Sequence, residues 1–175
     1  SHSDLTDEYA AVRKEMESVA EYLGKSVLRE VDEDEFMKNI ADIRSSCGDR
    51  AVLRAMHFYG DNARVEKQAA ALKAGDFETF KKYIIESGRS PYMYNQNVYS
   101  CKKASEQPVS LALSLSEKLL DGCGAWRVHG GGFAGTIQAF VPLNKLDEYK
   151  DLMEKVFGSG SCYILSVRPV GGVEL

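Results

Sequence analysis

The run Gly124-Ala-Trp-Arg-Val-His-Gly-Gly-Gly-Phe-Ala-Gly-Thr136 sets three consecutive glycines, Gly130, Gly131 and Gly132, between two segments with the period of β-strands. Glycine reaches positive φ and allows close backbone approach, at a conformational-entropy cost. Three in a row in a strand–loop–strand unit therefore ask for a reason. Either the loop is a tight corner, or its backbone faces a ligand or another backbone. The glycines formally satisfy G-x-G-x-x-G, which in a dinucleotide-binding unit must open a helix. Here Thr136 to Val141 alternates in the manner of a strand, so that reading fails on context. A phosphate-binding loop of the Walker type fails as well, because no Gly-Lys-Ser/Thr follows.

Outward from this loop the chain divides by period. The C-terminal side reads strand (Ala125 to His129), strand (Thr136 to Pro142), amphipathic helix (Leu146 to Val156) and strand (Cys162 to Arg168), with a last edge strand expected from Gly172 to Leu175. The N-terminal side reads as helices. One runs from Asp4 to Leu23, capped by Asp4 or Thr6 and stopped by Gly24, and a second from Asp34 to Ser46. A long third helix from Asp49 as N-cap to Lys73 is expected to turn Leu53, Met56, His57, Val65 and Ala69 inward. A fourth begins after Asp76, and a fifth, buried all round, begins at Pro108. Gly88 to Ala104 reads as an ordered loop with a short helical turn, since Pro91 bars a simple helix. Helices gathered early and strands gathered late predict an α+β fold, an antiparallel sheet covered by helices on one side, in one domain spanning 1–175.

Composition removes several function classes. A net charge of −4 over 175 residues argues against a nucleic-acid-binding face. No apolar run reaches the length of a membrane span. The four cysteines form no C-x-x-C pair, and the three histidines are scattered, so neither a disulfide framework nor a metal site is predicted. Free thiols and a polar start without a leader pattern predict a cytoplasmic protein. The chain lacks an initiator Met, which implies processing or a cut from something longer.

Gly-Ala-x-Arg-x-x-Gly-Gly-Gly-Phe-x-Gly resembles the third signature motif of the galactokinase branch of the GHMP small-molecule kinases. Further segments follow that family in order: Glu8-Tyr9 with Arg13, Met56-His57 through Arg64, Ala69 to Leu72, Gly75-Asp76, Glu86-Ser87 with Ser90, and Val98 with Ser100-Cys101. The resemblance covers essentially the whole chain. It implies a ferredoxin-like C-terminal domain with extra N-terminal helices. The family's sugar-contacting first motif, its serine-rich phosphate loop and its aspartate base have no counterpart here, and the resemblance places them in an N-terminal domain.

The activity so implied is ATP-dependent phosphorylation of galactose or a related hexose. ATP and Mg2+ would be bound mainly by that N-terminal kinase domain, which becomes the chain's own partner. The present chain would be inactive alone. Within it, Tyr9 matches the family's sugar-facing tyrosine, and Gly130, Gly131, Gly132 and Gly135 match the loop that supports the phosphate loop. No catalytic residue or metal ligand is assigned. Trp126, His129, Ala134, the Pro91-Tyr-Met-Tyr-Asn95 segment and Lys102-Lys103 depart from the family pattern, which leaves the exact sugar open. A non-catalytic sugar-sensing or binding module derived from such a kinase is the alternative reading.

Residue types also carry plainer roles. His57 reads as a packed, hydrogen-bonded histidine and His129 as a solvent-facing strand end. Arg127 reads as support for the loop. Tyr92, Tyr94 and Tyr99 suggest either an aromatic sugar-binding surface or loop packing, and Asp32 to Glu35 a solvated helix start.

Overall fold

The computed structural model describes residues 5–133 and 135–166. Its element order is α1 (Thr6–Tyr22), α2 (Glu33–Lys38), α3 (Ile40–Cys47), α4 (Asp49–Lys73), α5 (Phe77–Ser90), α6 (Pro108–Leu120), β1 (Ala125–His129), β2 (Thr136–Phe140) and α7 (Leu146–Phe157). The α+β expectation holds, with helix predominating.

Local chemistry explains most boundaries. Gly24 adopts φ +73° and its N–H, with that of Lys25, closes the carbonyls at the end of α1. The Asp76 carboxylate accepts from the Thr79 N–H at 3.0 Å and caps α5. Asp32 accepts from the Asp34 N–H at 2.9 Å, so the acidic run is a solvated helix start. Three boundary expectations are corrected. Leu5 precedes α1, and Thr6 is its first helical residue and not its cap; Asp4 lies outside the described residues. Gly48, not Asp49, occupies the cap position of α4. The second helix is two: at Asn39 the side-chain amide donates to the Glu35 carbonyl at 2.8 Å, competing with the backbone, and α2 gives way to α3.

Among the described residues two hydrophobic clusters form. The first joins α1, α2, α3 and α4 through Val19, Ala20, Phe36, Ile43, Ala55 and Tyr59. Tyr59 donates its hydroxyl to the Val31 carbonyl at 3.2 Å, fixing the link between α1 and α2. The inward face of α4 differs from expectation. Ala51, Val52, Arg54, Ala55 and Tyr59 are buried, whereas Met56 and Val65 are exposed. A 25-residue helix carries apolar side chains on more than one flank, and the neighbours α1, α3 and α5 select which flank is covered.

The second cluster is built on the sheet. β1 and β2 pair antiparallel in the register Ala125↔Phe140 to His129↔Thr136. Paired residues share a face, so Trp126, Val128, Ile137 and Ala139 lie together. They pack against Val109, Leu113 and Leu120 of α6 and against Tyr149 and Met153 of α7. A buried Ser116–Tyr149 hydroxyl pair at 2.8 Å joins these two helices. The other sheet face meets α5: Phe80 packs edge-on to Phe140 with ring centroids 5.4 Å apart. Helices therefore cover both faces, not one. The enabling residue is Gly88, where a Cβ would sit 2.7 Å from the Trp126 carbonyl oxygen and 3.0 Å from Arg127 Cα. The fifth helix, α6, is buried on one side only, with Leu111 exposed.

The expected strand at Cys162 to Arg168 is not formed in its described part. Residues 161–166 carry no ladder, and Tyr163, Ile164 and Leu165 are exposed. A period-2 pattern confers the capacity to pair, and a strand exists only once a neighbouring edge accepts its hydrogen bonds. Arg168 and the expected edge strand from Gly172 to Leu175 lie outside the described residues.

Alanine in place of a helix glycine gains about 1 kcal/mol of propensity. At position 88 the contact falls on backbone atoms that cannot swing away, and overpacking costs about 1–3 kcal/mol. Gly88→Ala is therefore expected to destabilise, read as a lowered midpoint in urea denaturation; a raised midpoint would show that α5 does not press on β1.

His57 on α4 bonds through Nδ1 to Ser90 Oγ at 2.8 Å, as a packed histidine should. Burial lowers its pKa below the ordinary 6.5, with Asp61 opposing and Arg64 and Arg127 reinforcing. Its neutral form is favoured in the folded state, so below 6.5 the unfolded chain takes up the proton first. This contribution to stability is present above 6.5 and is lost as pH falls through the lower folded value. Urea titrations of the wild type and of His57→Gln should show a shallower acid-side loss in the variant.

Candidate functional site

Three segments far apart in sequence meet at the glycine loop. The first is the start of α1, carrying Glu8 and Tyr9. The second is the segment 91–100. α5 runs directly into a π turn at Pro91–Asn95, so the expected loop is largely helical up to Asn95. Pro91 adopts helical dihedrals, and the wider turn accommodates its missing N–H. Gln96 then reverses the chain at φ +53°. The third segment is the β1–β2 loop itself.

The segment 91–100 is anchored from below. Arg54 of α4, 1% exposed, donates Nε to the Asn95 carbonyl at 3.0 Å and Nη1 to Glu15 of α1 at 2.8 Å. Burial lowers the pKa of Arg54 and Glu15 opposes this; an arginine in such a pair stays charged. Burial alone would raise the Glu15 carboxyl, but Arg50 and Arg54 together outweigh it and its pKa falls below the ordinary value. Ser100 Oγ donates to Glu8 at 2.8 Å, tying the far end of the segment to α1.

On this shelf the glycine loop is held at successive residues. Asn97 Nδ2 donates to the Gly131 carbonyl at 3.0 Å, and the Phe133 N–H donates to the Asn97 carbonyl. Tyr9 donates its hydroxyl to the Gly132 carbonyl at 2.9 Å, and its ring meets Phe133 edge-on at 5.0 Å. The glycines answer to these contacts. A Cβ on Gly131 would lie 2.7 Å from the Tyr9 ring, and one on Gly132 would be driven into the Asn97 carbonyl oxygen. A Cβ on Gly135 would lie 2.8 Å from the Gly132 carbonyl oxygen. Gly130 differs: its φ is +68°, but no atom would lie within 4 Å of an added Cβ. Phe133, buried at 3% exposure, sits at φ +52°, a strained conformation for a bulky residue that its neighbours sustain.

Three of the glycines, Gly131, Gly132 and Gly135, thus face backbone or ring atoms of this same chain. Tyr9 and the loop, singled out separately in the sequence, do come together across 123 positions. Beside them opens a cleft of about 560 Å³, lined by Tyr9, Arg13, Phe58, Asn97, Gly130 and Gly131 among others. His129 is exposed, and Arg127 Nε donates to the Val128 carbonyl at 3.1 Å, bracing its own strand. Tyr92 and Tyr99 approach at 6.1 Å, with Tyr99 packed on the second cluster. The four cysteines are free thiols. Arg54 and Asn97 were not singled out from the sequence. Arg54 has no local signal, being one charge on a charged helix. Asn97 carried a weak one, as a polar residue next to the buried Val98.

The geometry ranks the glycines. Gly132→Ala should cost most stability, because backbone must move; Gly131→Ala less, because the Tyr9 ring is the obstacle. Gly130→Ala should cost about 1 kcal/mol, from its positive φ alone. Urea midpoints of the three variants test the order, and equal losses would refute it.

No family model matches the chain. It is similar to curated proteins that carry the name galactokinase. The galactokinase of Homo sapiens is 32% identical over 174 residues, 99% of this chain and 41% of that protein. The galactokinase of Bos taurus is 31% identical over 164 residues, covering 93% and 39%. That of Mannheimia succiniciproducens is 26% identical over 152 residues, covering 87% and 37%. The chain spans about two fifths of the length of these relatives. Along nearly all of its own length this chain is similar to galactokinases, and the extent of the match is consistent with the C-terminal part of such a protein.

Proposed function

We propose that this chain is the C-terminal half of an ATP-dependent sugar-1-kinase of the galactokinase type, with its active site in a cleft shared with an N-terminal kinase half. The observation that carries the reading is the meeting of Tyr9 with Gly130 to Gly132 beside an open cleft. Tyr9 and the glycine motif sit together although 123 positions separate Tyr9 from Gly132.

In this reading the anomeric hydroxyl oxygen of galactose attacks the γ-phosphorus of ATP. The bond to the departing ADP oxygen breaks, and the hydroxyl proton passes to a base outside this chain. ATP supplies the phosphoryl group, and Mg2+ neutralises charge on its oxygens. Among the described residues no cluster of three or more His, Cys, Asp or Glu is arranged to hold a metal, so no residue here is assigned to Mg2+. Phosphoryl transfer depends on positioning and on stabilising phosphate oxygens. The chain's share is positional: Tyr9 faces the sugar and holds the loop, and Gly130, whose missing Cβ faces open space, leaves room for a phosphate loop to lie against the exposed turn. Among the described residues no helix is long and apolar enough to cross a membrane.

The test is a phosphorylation screen of several hexoses by the full-length protein that contains this chain, with the isolated chain as control. Sugar phosphate is expected from the full-length protein with Mg-ATP. No turnover, and no ATP affinity above background by calorimetry, is expected from the isolated chain. Galactose and Mg-ATP bound without product would sink the kinase reading in favour of a sugar-binding module. ATP hydrolysis by the isolated chain would overturn the shared-site argument.

A further inference from the structure

We propose that Asn97 is a positioning residue for the glycine loop, acting on phosphoryl transfer through the placement of Gly131 to Phe133. The link to transfer rests on the kinase reading above; the placement of the loop does not. Asn97 meets three consecutive loop residues. Its side-chain N–H donates to the Gly131 carbonyl at 3.0 Å, its carbonyl accepts from the Phe133 N–H, and that same carbonyl fills the space a Cβ on Gly132 would need. The loop height is therefore set by contact with Asn97 from one side and with Tyr9 from the other.

Asn97 is also where it is for a reason other than packing. It is 5% exposed, and among the described residues its buried Oδ1 atom has no hydrogen-bond partner. An apolar side chain of similar volume would fill the site without an orphaned acceptor, so burial alone does not favour an amide. The amide nitrogen is the part of the side chain in use. The backbone beneath it is fixed in turn. The Asn97 N–H donates to the Pro91 carbonyl at 3.3 Å, and Gln96 holds the left-handed reversal. The Asn95 carbonyl accepts from the buried Arg54, which is paired with Glu15. The loop thus rests on a support continuous with α1 and α4.

A displacement of about 1 Å in a group that positions reactants can cost on the order of a hundredfold in rate. In the full-length protein, Asn97→Ala should lower kcat about ten- to a hundredfold while the sugar KM stays within about twofold. Asn97→Asp keeps the volume but sets an oxygen against the Gly131 carbonyl. Its kcat should fall at least as far as that of the alanine variant. The gap to wild type should narrow towards acid pH, where the new carboxyl gains a proton to donate. A variant that loses only thermal stability, with kcat intact below its melting temperature, overturns the proposal, as does a raised KM with unchanged kcat.

Hydrogen exchange over residues 130–135 gives a readout independent of activity, with exchange expected to rise at least about tenfold in both variants. Should the alanine variant not fold, the aspartate variant carries the same measurements. A wild-type protein that phosphorylates no sugar would fail the kinase reading alone. The exchange experiment then decides for Asn97: faster exchange confined to the loop supports it, and unchanged exchange overturns it.

Discussion

The missing Cβ atoms at Gly131 and Gly132 are the constraint on which the site depends. They let the β1–β2 loop come against the Tyr9 ring and the Asn97 carbonyl closely enough for four contacts to form over three residues. Without that approach the sheet and the first helical cluster would lose a direct bridge. The same contacts sustain the left-handed Phe133, whose buried ring returns packing area for its backbone strain.

The bridge matters because the described residues form two hydrophobic clusters, one of helices and one around the sheet. Between them run polar connections. Arg54 reaches from α4 to the segment after α5 and to α1. A buried guanidinium is tolerated because it is paired and hydrogen-bonded on more than one side; removal of a partner from such a group is costly. The polar groups that are hardest to bury thus lie where the two clusters meet, beside the cleft. That is a sensible place for a ligand, since pockets favour such junctions.

The match to galactokinases and the geometry bear on different questions. Similarity along the chain relates it to proteins named galactokinase, over about two fifths of their length. Geometry says how this portion holds its loop: from within, by Tyr9 and Asn97. A glycine loop that reads from sequence as awaiting a partner is already shaped by its own chain, and among its described residues Gly130 and Gly131 are the exposed ones.

The sequence by itself determined what local chemistry controls. Gly24, Gly48 and Asp76 mark helix ends because positive φ and side-chain capping are properties of single residues. The β1–β2 pair follows from period-2 alternation around a glycine turn. The tertiary structure decided what depends on partners. Which flank of α4 is buried was set by α1, α3 and α5, and apolar spacing on so long a helix pointed to Met56 and Val65, which are exposed. Whether Cys162 onward pairs as a strand needs an edge to accept it, and alternation cannot supply one. The second covered sheet face hangs on one helix glycine, Gly88, unremarkable until β1 lies against it. Arg54 has no local signature and Asn97 only a weak one, because burial and long-range hydrogen bonds belong to the folded arrangement. Sequence spacing encodes the periods of helix and strand; it does not encode which distant backbone a given carbonyl or amide will meet.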